Sequence, residues 1–296
     1  MKQEKGFQIF GHTVMTIITL CAILPLILLL ISSFTDNDVL IRNGYSFFPE
    51  KLSAYAYEYI FTSGNSVVQA YGISVLLTVI GTLLGLTITT LLGYALSKKF
   101  LPGRGVLTFI VFFTMLFNGG LVPTYINYST VFGIKNTFYA LLVPSLLMNG
   151  FNVLMMKSYF VTGIPEALLE AADIDGAGEW TAFFKIALPL AKPIVATIGL
   201  FIGIGYWNDW MNGYIYLTKR TDLFSIQNLL NRLMQNIQFL SQNPNNITNA
   251  DTGLAAIPTV SIRMAMAVLG ILPIILIYPF VQRNFVKGIT LGGVKG

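Results

Sequence analysis

Apolar residues run in long stretches along this chain, and charged residues gather in the segments between them. A helix that crosses a bilayer needs about 20 mostly apolar residues. Six stretches meet that need: 13–35, 68–97, 105–134, 136–156, 186–208 and 264–282. The second lies inside a longer uncharged run, 59–97. The fifth is interrupted only by Lys192, near one end, where the stem of the side chain can snorkel to the interface. The pattern predicts an all-α, polytopic membrane protein with six transmembrane helices. Lys2 and Lys5 precede the first stretch, as in a signal peptide. Its apolar part exceeds the roughly 7–15 residues of a signal core, and no A-x-A site follows, so it reads as a retained anchor helix. Residues 1–67 are then an anchor helix and outer loop, and 68–296 the core.

Six spans place both termini on one side, and charge says which. Lys2, Lys5, Lys98, Lys99, Arg104, Lys157, Lys185, Lys192, Arg283, Lys287 and Lys295 fall on the side of the termini. Arg42, Lys51, Lys135, Lys219, Arg220, Arg232 and Arg263 fall on the other, although its loops are longer. The positive-inside rule therefore predicts both termini in the cytoplasm.

Composition narrows the function classes. Only 10% of the 296 residues are charged and 54% are hydrophobic. A soluble domain carries about 25% charge, so a soluble enzyme, a disordered tail and a disulfide-stapled secreted domain are all excluded. Cys21 is the only cysteine and His12 the only histidine. Intrachain disulfides, Ser-His-Asp triads and most transition-metal sites go with them. The net charge of +5 is spread along the chain, with no basic block suited to nucleic acid. Pro25, Pro144, Pro273 and Pro279 interrupt apolar stretches, where neighbouring helices must satisfy the freed carbonyls. Gly81 and Gly85, and Gly199 and Gly203, form G-x-x-x-G pairs that let helix backbones approach closely. Bundle packing explains them; a helix pair that slides during a cycle is the sharper alternative.

One segment differs from its surroundings. Five of the thirteen acidic residues, Glu166, Glu170, Asp173, Asp175 and Glu179, fall between the fourth and fifth stretches. Pro165 suits a first helical turn. Glu166, Glu170 and Asp173 follow at i, i+4 and i+7, an acidic stripe, while Leu168, Leu169, Ala172 and Ile174 cover much of the rest. Asp175-Gly176 is a turn signal, and a second short helix can restart near Gly178. An interfacial helix resting on lipid usually carries Lys and Arg to meet anionic headgroups. An acidic one suits a protein partner better.

Glu170-Ala171-Ala172, three residues, Gly176, nine residues and Ile186-x-Leu188-Pro189 resemble the EAA motif of permease subunits of binding-protein-dependent ABC importers. The match lies in the corresponding loop of a six-span topology, and the likeness continues through Pro193. Ala167 and Leu169 depart from the polar residues usual there. The C-terminal run 285–296, FVKGITLGGVKG, resembles the tail of the maltose-type carbohydrate branch. The resemblance covers roughly residues 70–296.

That resemblance implies an ABC importer type I permease fold, with a coupling helix at about 163–181. It implies two ATPase subunits on the cytoplasmic face, a second permease subunit (in this branch a different chain), an extracytoplasmic solute-binding protein and a carbohydrate substrate. The coupling set is Glu166, Glu170, Ala171, Ala172, Asp173, Asp175 and Gly176. Glu170 is the main polar contact, and Gly176 allows the tight turn. No G-x-x-x-x-G-K-[ST] phosphate loop occurs. The chain is expected to bind no cofactor itself, with ATP and Mg held by the partner ATPase. Closure of the ATPases would drag the helix and swing the third to fifth spans between inward- and outward-open states.

On the outer side lies a long segment, 209–262. Ile226, Leu229, Leu230, Leu233, Ile237 and Leu240 recur there at helical spacing, and a polar run follows at 242–249. An amphipathic helix with a solvated loop is one reading; a loop that meets the binding protein is the other. Sugars are held by aromatic platforms and amides, which makes Asn118, Tyr125, Asn149, Asn152, Trp207 and Asn208 the pathway candidates. Tryptophan and tyrosine also form interfacial belts. A permease for another solute, such as a polyamine or phosphonate, stays open. An ion-coupled carrier fits less well, because intramembrane charge is nearly absent.

Overall fold

Hydrocarbon-facing sequence leaves a helix as the economical way to satisfy every backbone hydrogen bond, and the computed structural model is mostly helical over the residues it describes, 2–62, 66–242 and 259–292. Extended pairing among them is confined to one isolated bridge, Thr35 with Leu52. The chain divides into two compact units, Met1–Val68 with Leu230–Pro273, and Gln69–Leu229 with Ile274–Gly296.

The first unit opens with α1 (Lys2–Ser33), whose candidate span Gln8–Ser33 has no buried residue in its 18-residue apolar window and buries only Ser32 and Ser33 at its end. A face so apolar and so bare is suited to lipid. At its end Ser33 Oγ lies 2.8 Å from the Tyr57 hydroxyl, and the Phe34 and Tyr57 rings stack at 4.7 Å. Asp36 caps α2 (Asn37–Asn43) by accepting the Asp38 N–H at 3.1 Å. Lys51 bonds Asp36 at 2.7 Å and holds its carboxyl below the usual range. After α3 (Tyr55–Thr62), the Asn37 side chain accepts the Val260 N–H at 3.1 Å.

The second unit is organised by α4 (Ser66–Ser97). Behind it come α5 (Arg104–Leu116), α6 (Leu121–Ile126), α7 (Tyr139–Leu142), α8 (Gly150–Thr162), α9 (Glu166–Ile174), α10 (Glu179–Ala182), α11 (Leu188–Leu190), α12 (Lys192–Asn208) and α13 (Met211–Tyr216). Like α4, whose first three residues belong to the first unit, α14 (Ile226–Gln242) and α15 (Thr259–Gly292) have residues in both units.

Small residues set how closely α4 packs. A Cβ on Gly93 would lie 2.7 Å from Met156 of α8, and one on Gly85 3.3 Å from Ile202 of α12. A Cβ on Gly81 would overlap the Tyr206 ring. That ring is buried, and its hydroxyl donates to the Leu142 carbonyl at 2.8 Å. The Gly81/Gly85 pair therefore works as close packing between α4 and its neighbours.

The six stretches do not become six straight helices. Among the described residues three helical segments are long and apolar enough to cross a membrane alone, Gln8–Ser33, Val67–Ser97 and Val260–Ile277. The third stretch bends by 116° between α5 and the helix Leu121–Val131. Gly120 has φ +84° at that break, and Asn118 accepts its N–H at 2.8 Å. The fifth bends by 80° between Glu179–Leu190 and α12. The fourth holds only α7 before Pro144 and Ser145, with φ +63°, interrupt it; α8 then starts at Gly150. With thirteen residues, α8 is about 20 Å long, short of a hydrocarbon core of about 30 Å. Absence of charge locates apolar chain, whereas glycine, proline and a positive φ decide where the helix stops.

Candidate functional site

The acidic segment folds into two short helices joined by a tight turn. Pro165 stands before α9 with extended backbone, φ −60° and ψ 126°. The helix ends at Asp175, and Gly176 follows with φ +77°. The Gly176 N–H donates to Asp173 O at 3.1 Å, and the Ala177 N–H to Ala172 O at 2.9 Å. These two bonds make a Schellman ending, which places its C′ residue in the left-handed region and favours glycine. A Cβ on Gly176 meets nothing within 4 Å, so the backbone angle, not space, is what selects glycine. The chain restarts at Gly178 into α10, as the sequence predicts.

The acidic residues divide by what they touch. Glu166 receives Lys99 Nζ at 2.8 and 2.9 Å. Both side chains are mostly exposed, so this pair contributes about 0.5 kcal/mol. Glu179 is held more firmly. Lys98 Nζ lies 3.3 Å from its Oε2, and the Tyr94 hydroxyl donates to the same oxygen at 3.1 Å. The Lys98 side chain is only 11% exposed. Burial acts to lower its pKa, but Tyr94 and Glu179 outweigh it and hold the ammonium above its ordinary value. The Tyr94 ring packs on Phe183 at 4.9 Å and edge-on to Phe160 at 5.4 Å. Beside this cluster lies a cavity of about 360 Å³, lined by Leu91, Phe100, Leu101, Trp180 and Phe183 along with Tyr94 and Lys98.

Glu170, Asp173 and Asp175 are exposed, with no ion-pair partner among the described residues. Ala171 is also exposed, whereas Ala172 is buried and turns the helix toward its own protein. The stripe is less clean than the spacing suggests. Ile174 is 86% exposed and Leu168 46%, although the pattern placed both on the covered side. Nine residues make too short a helix to bury a whole face, and α9 meets the rest of the unit through Leu169 and Ala172. The result is a surface that mixes free carboxylates with bare aliphatic groups. Such a surface suits a protein partner, since exposed aliphatic carbon next to unpaired charge fits neither water alone nor an anionic lipid leaflet.

The outer candidates differ in burial and in what they touch. Asn118 and Asn149 are exposed and spend their side-chain oxygens on backbone: Asn118 at the α5–α6 break, Asn149 as N-cap of α8, accepting from Phe151 and Asn152 at 2.9 and 3.3 Å. Asn152 is buried in α8. Tyr125 accepts from Lys135 Nζ at 2.7 Å and stacks on Tyr216 at 5.8 Å. Trp207 is buried beside Tyr71, with ring centroids 6.1 Å apart, and Asn208 is exposed. Asp209, just past α12, accepts the Met211 and Asn212 N–H groups, and burial pushes its carboxyl up. A helix fills residues 226–242 as the spacing predicts. The polar run beyond it, 243–249, and the last four residues of the C-terminal run lie outside the described residues.

Sequence reasoning counted Lys98 and Lys99 only as topological charges. Their contact with Glu179 and Glu166 bridges 67 or more positions, and no local pattern announces it.

Comparison with known proteins places the whole chain in a family. Residues 85–291 match the family described as binding-protein-dependent transport system inner membrane component. The chain is 36% identical to Protein LplC of Bacillus subtilis (strain 168) over 275 residues, 93% of this chain and 90% of that one. It is also 36% identical to the polygalacturonan/rhamnogalacturonan transport system permease protein YtcP of the same organism, over 99% of this chain and 100% of the relative. It resembles a chain in the crystal structure of a bacterial ABC transporter involved in the import of the acidic polysaccharide alginate. There the TM-score is 0.80 at 28% identity, with 96% of this chain and 98% of the other covered. An acidic two-helix segment with an exposed Glu170-Ala171 step, set in a multi-pass helical protein, is thus found in a chain that belongs to the family of binding-protein-dependent transport system inner membrane components.

Proposed function

We propose that this chain forms half of the translocation pathway of an ATP-driven importer for oligosaccharides, with α9 as its coupling helix. The observation that carries the reading is the surface of α9. Glu170, Asp173 and Asp175 have no ion-pair partner among the described residues and Ile174 is 86% exposed, while the Gly176 turn holds the helix in one orientation. In this reading α9 docks on one of two ATPase subunits, Glu170 is its main polar contact, and ATP and Mg stay on those partners. A second permease subunit, different from this one, completes the pathway. An extracytoplasmic binding protein delivers the substrate. Six spans cross the membrane with both termini in the cytoplasm, the third to fifth of them being the interrupted stretches. The basic residues of the α4–α5 turn, Lys98, Lys99 and Arg104, support that orientation.

The names of the relatives direct the choice of substrate. Oligosaccharides rich in uronic acids come first, since one relative is named for polygalacturonan and rhamnogalacturonan transport and the similar structure for alginate. Arabino-oligosaccharides come next, from a relative in Halalkalibacterium halodurans that is 30% identical over 94% of this chain. The test is to purify the assembled complex with its binding protein and measure ATP hydrolysis with each sugar class. Stimulation by one oligosaccharide class is expected. A complex that purifies without an ATPase subunit would end this reading.

A further inference from the structure

The two arms of the coupling segment are tied to the same point, the C-terminal end of α4. Lys99 Nζ meets Glu166 at the start of α9, and Lys98 Nζ with the Tyr94 hydroxyl meets Glu179 at the start of α10. Consecutive lysines thus grip the segment on both sides of the Gly176 turn. We propose that Tyr94, Lys98 and Lys99 form a clamp that makes α4 move with the coupling segment, as part of the unit the ATPases drive. Lys98 is its positioning residue.

The surroundings favour a rigid link over a sliding one. Along its length α4 packs at glycine distance on α8 and α12, the helices on either side of the segment. Close backbone packing of this kind has few alternative registers. At the clamp the interface changes character. The cavity lined by Leu91, Phe100, Leu101, Trp180 and Phe183 leaves hydrocarbon there incompletely packed. What crosses from α4 to α10 beside it is the Tyr94–Phe183 ring contact and the two polar contacts to Glu179. Lys98 is nearly enclosed while Glu179 is half exposed, so reversing either charge sets two like charges against each other at a contact that water screens from the Glu179 side only.

This inference rests on the coupling reading, and the experiment separates the two. In the assembled complex in proteoliposomes, Lys98→Glu is expected to cut transport about tenfold while the ATPase subunits still co-purify. Substrate moved per ATP hydrolysed falls, which a loss of folded protein would not change. The exchange Lys98→Glu with Glu179→Lys restores at least half of transport. A second arm joins the two bodies covalently. With Cys21→Ser as background, Lys99→Cys and Glu166→Cys are bridged by a short bismaleimide. If α4 travels with the segment, bridging leaves transport at the level of the same double-cysteine complex before bridging; if the bridge stops that transport, α4 and the segment slide past each other and the clamp is overturned. Wild-type transport by Lys98→Glu overturns it equally, with the coupling reading intact so long as Glu170→Lys is inactive. Normal transport by Glu170→Lys removes both.

Discussion

Helices α9 and α10 are a turn apart in the chain and lie in opposite chemical worlds. In α9 only Ala172 is buried, and Ile174, Glu170 and Asp173 face outward. Helix α10 runs straight into the core: Ala182, Phe183 and Ala187 are almost fully buried, and Glu179 is bonded to Tyr94 and Lys98. In the proposed coupling role, the outward arm keeps its binding free energy for a partner and the inward arm passes force to the bundle. A coupling element needs both, and the Gly176 turn is what allows two short helices to differ so sharply over a few residues.

Several substitutions break or sharpen that contrast. The largest effect is expected on the outward arm: Glu170→Lys places a cation where the partner must accept a carboxylate. It should abolish transport while the protein stays in the membrane, as read by uptake and by membrane immunoblot. On the inward arm, Phe183→Ala removes a ring that is 3% exposed. It should destabilise the subunit by about 3 kcal/mol, seen as a lower melting temperature of the detergent-solubilised complex. Ile174→Ser touches nothing inside the subunit. It should leave the melting temperature unchanged and weaken ATPase association about tenfold, as befits a lost interface aliphatic group. Gly176→Ala costs about 1 kcal/mol of the left-handed turn, and should lower coupling more than stability when transport per ATP is compared with melting. Lys99→Ala is the smallest change, at most about 1 kcal/mol for an exposed pair. A large stability loss there would blur the contrast between the two arms.

Much of this was legible in residues read one after another. Long uncharged runs announced a helical membrane protein because water cannot solvate them and lipid can. Pro165, Asp175 and Gly176 announced the limits of α9, since caps and turns are set by neighbours in the chain. The helix at 226–242 followed from spacing alone. The breaks were harder. Asn118-Gly119-Gly120 carried a turn signal inside an apolar stretch, and Pro144-Ser145 another, but the length of uncharged chain masked both. The outer amides show the same limit. Asn118 and Asn149 were chosen by residue type, which could not show that their side-chain oxygens accept backbone N–H groups at helix starts.

The sequence by itself determined the solvent, the helices, the acidic segment with its glycine turn, and the family motif. Each depends on residues within a few positions of one another. The tertiary structure alone decided which acids stay free and which are clamped. Lys98 and Glu179 are distant in the chain, and a charge pair is decided by distance in space and by the water it excludes. So the same five acids that first marked the segment divide into a pair that binds the protein to itself and three that remain for a partner.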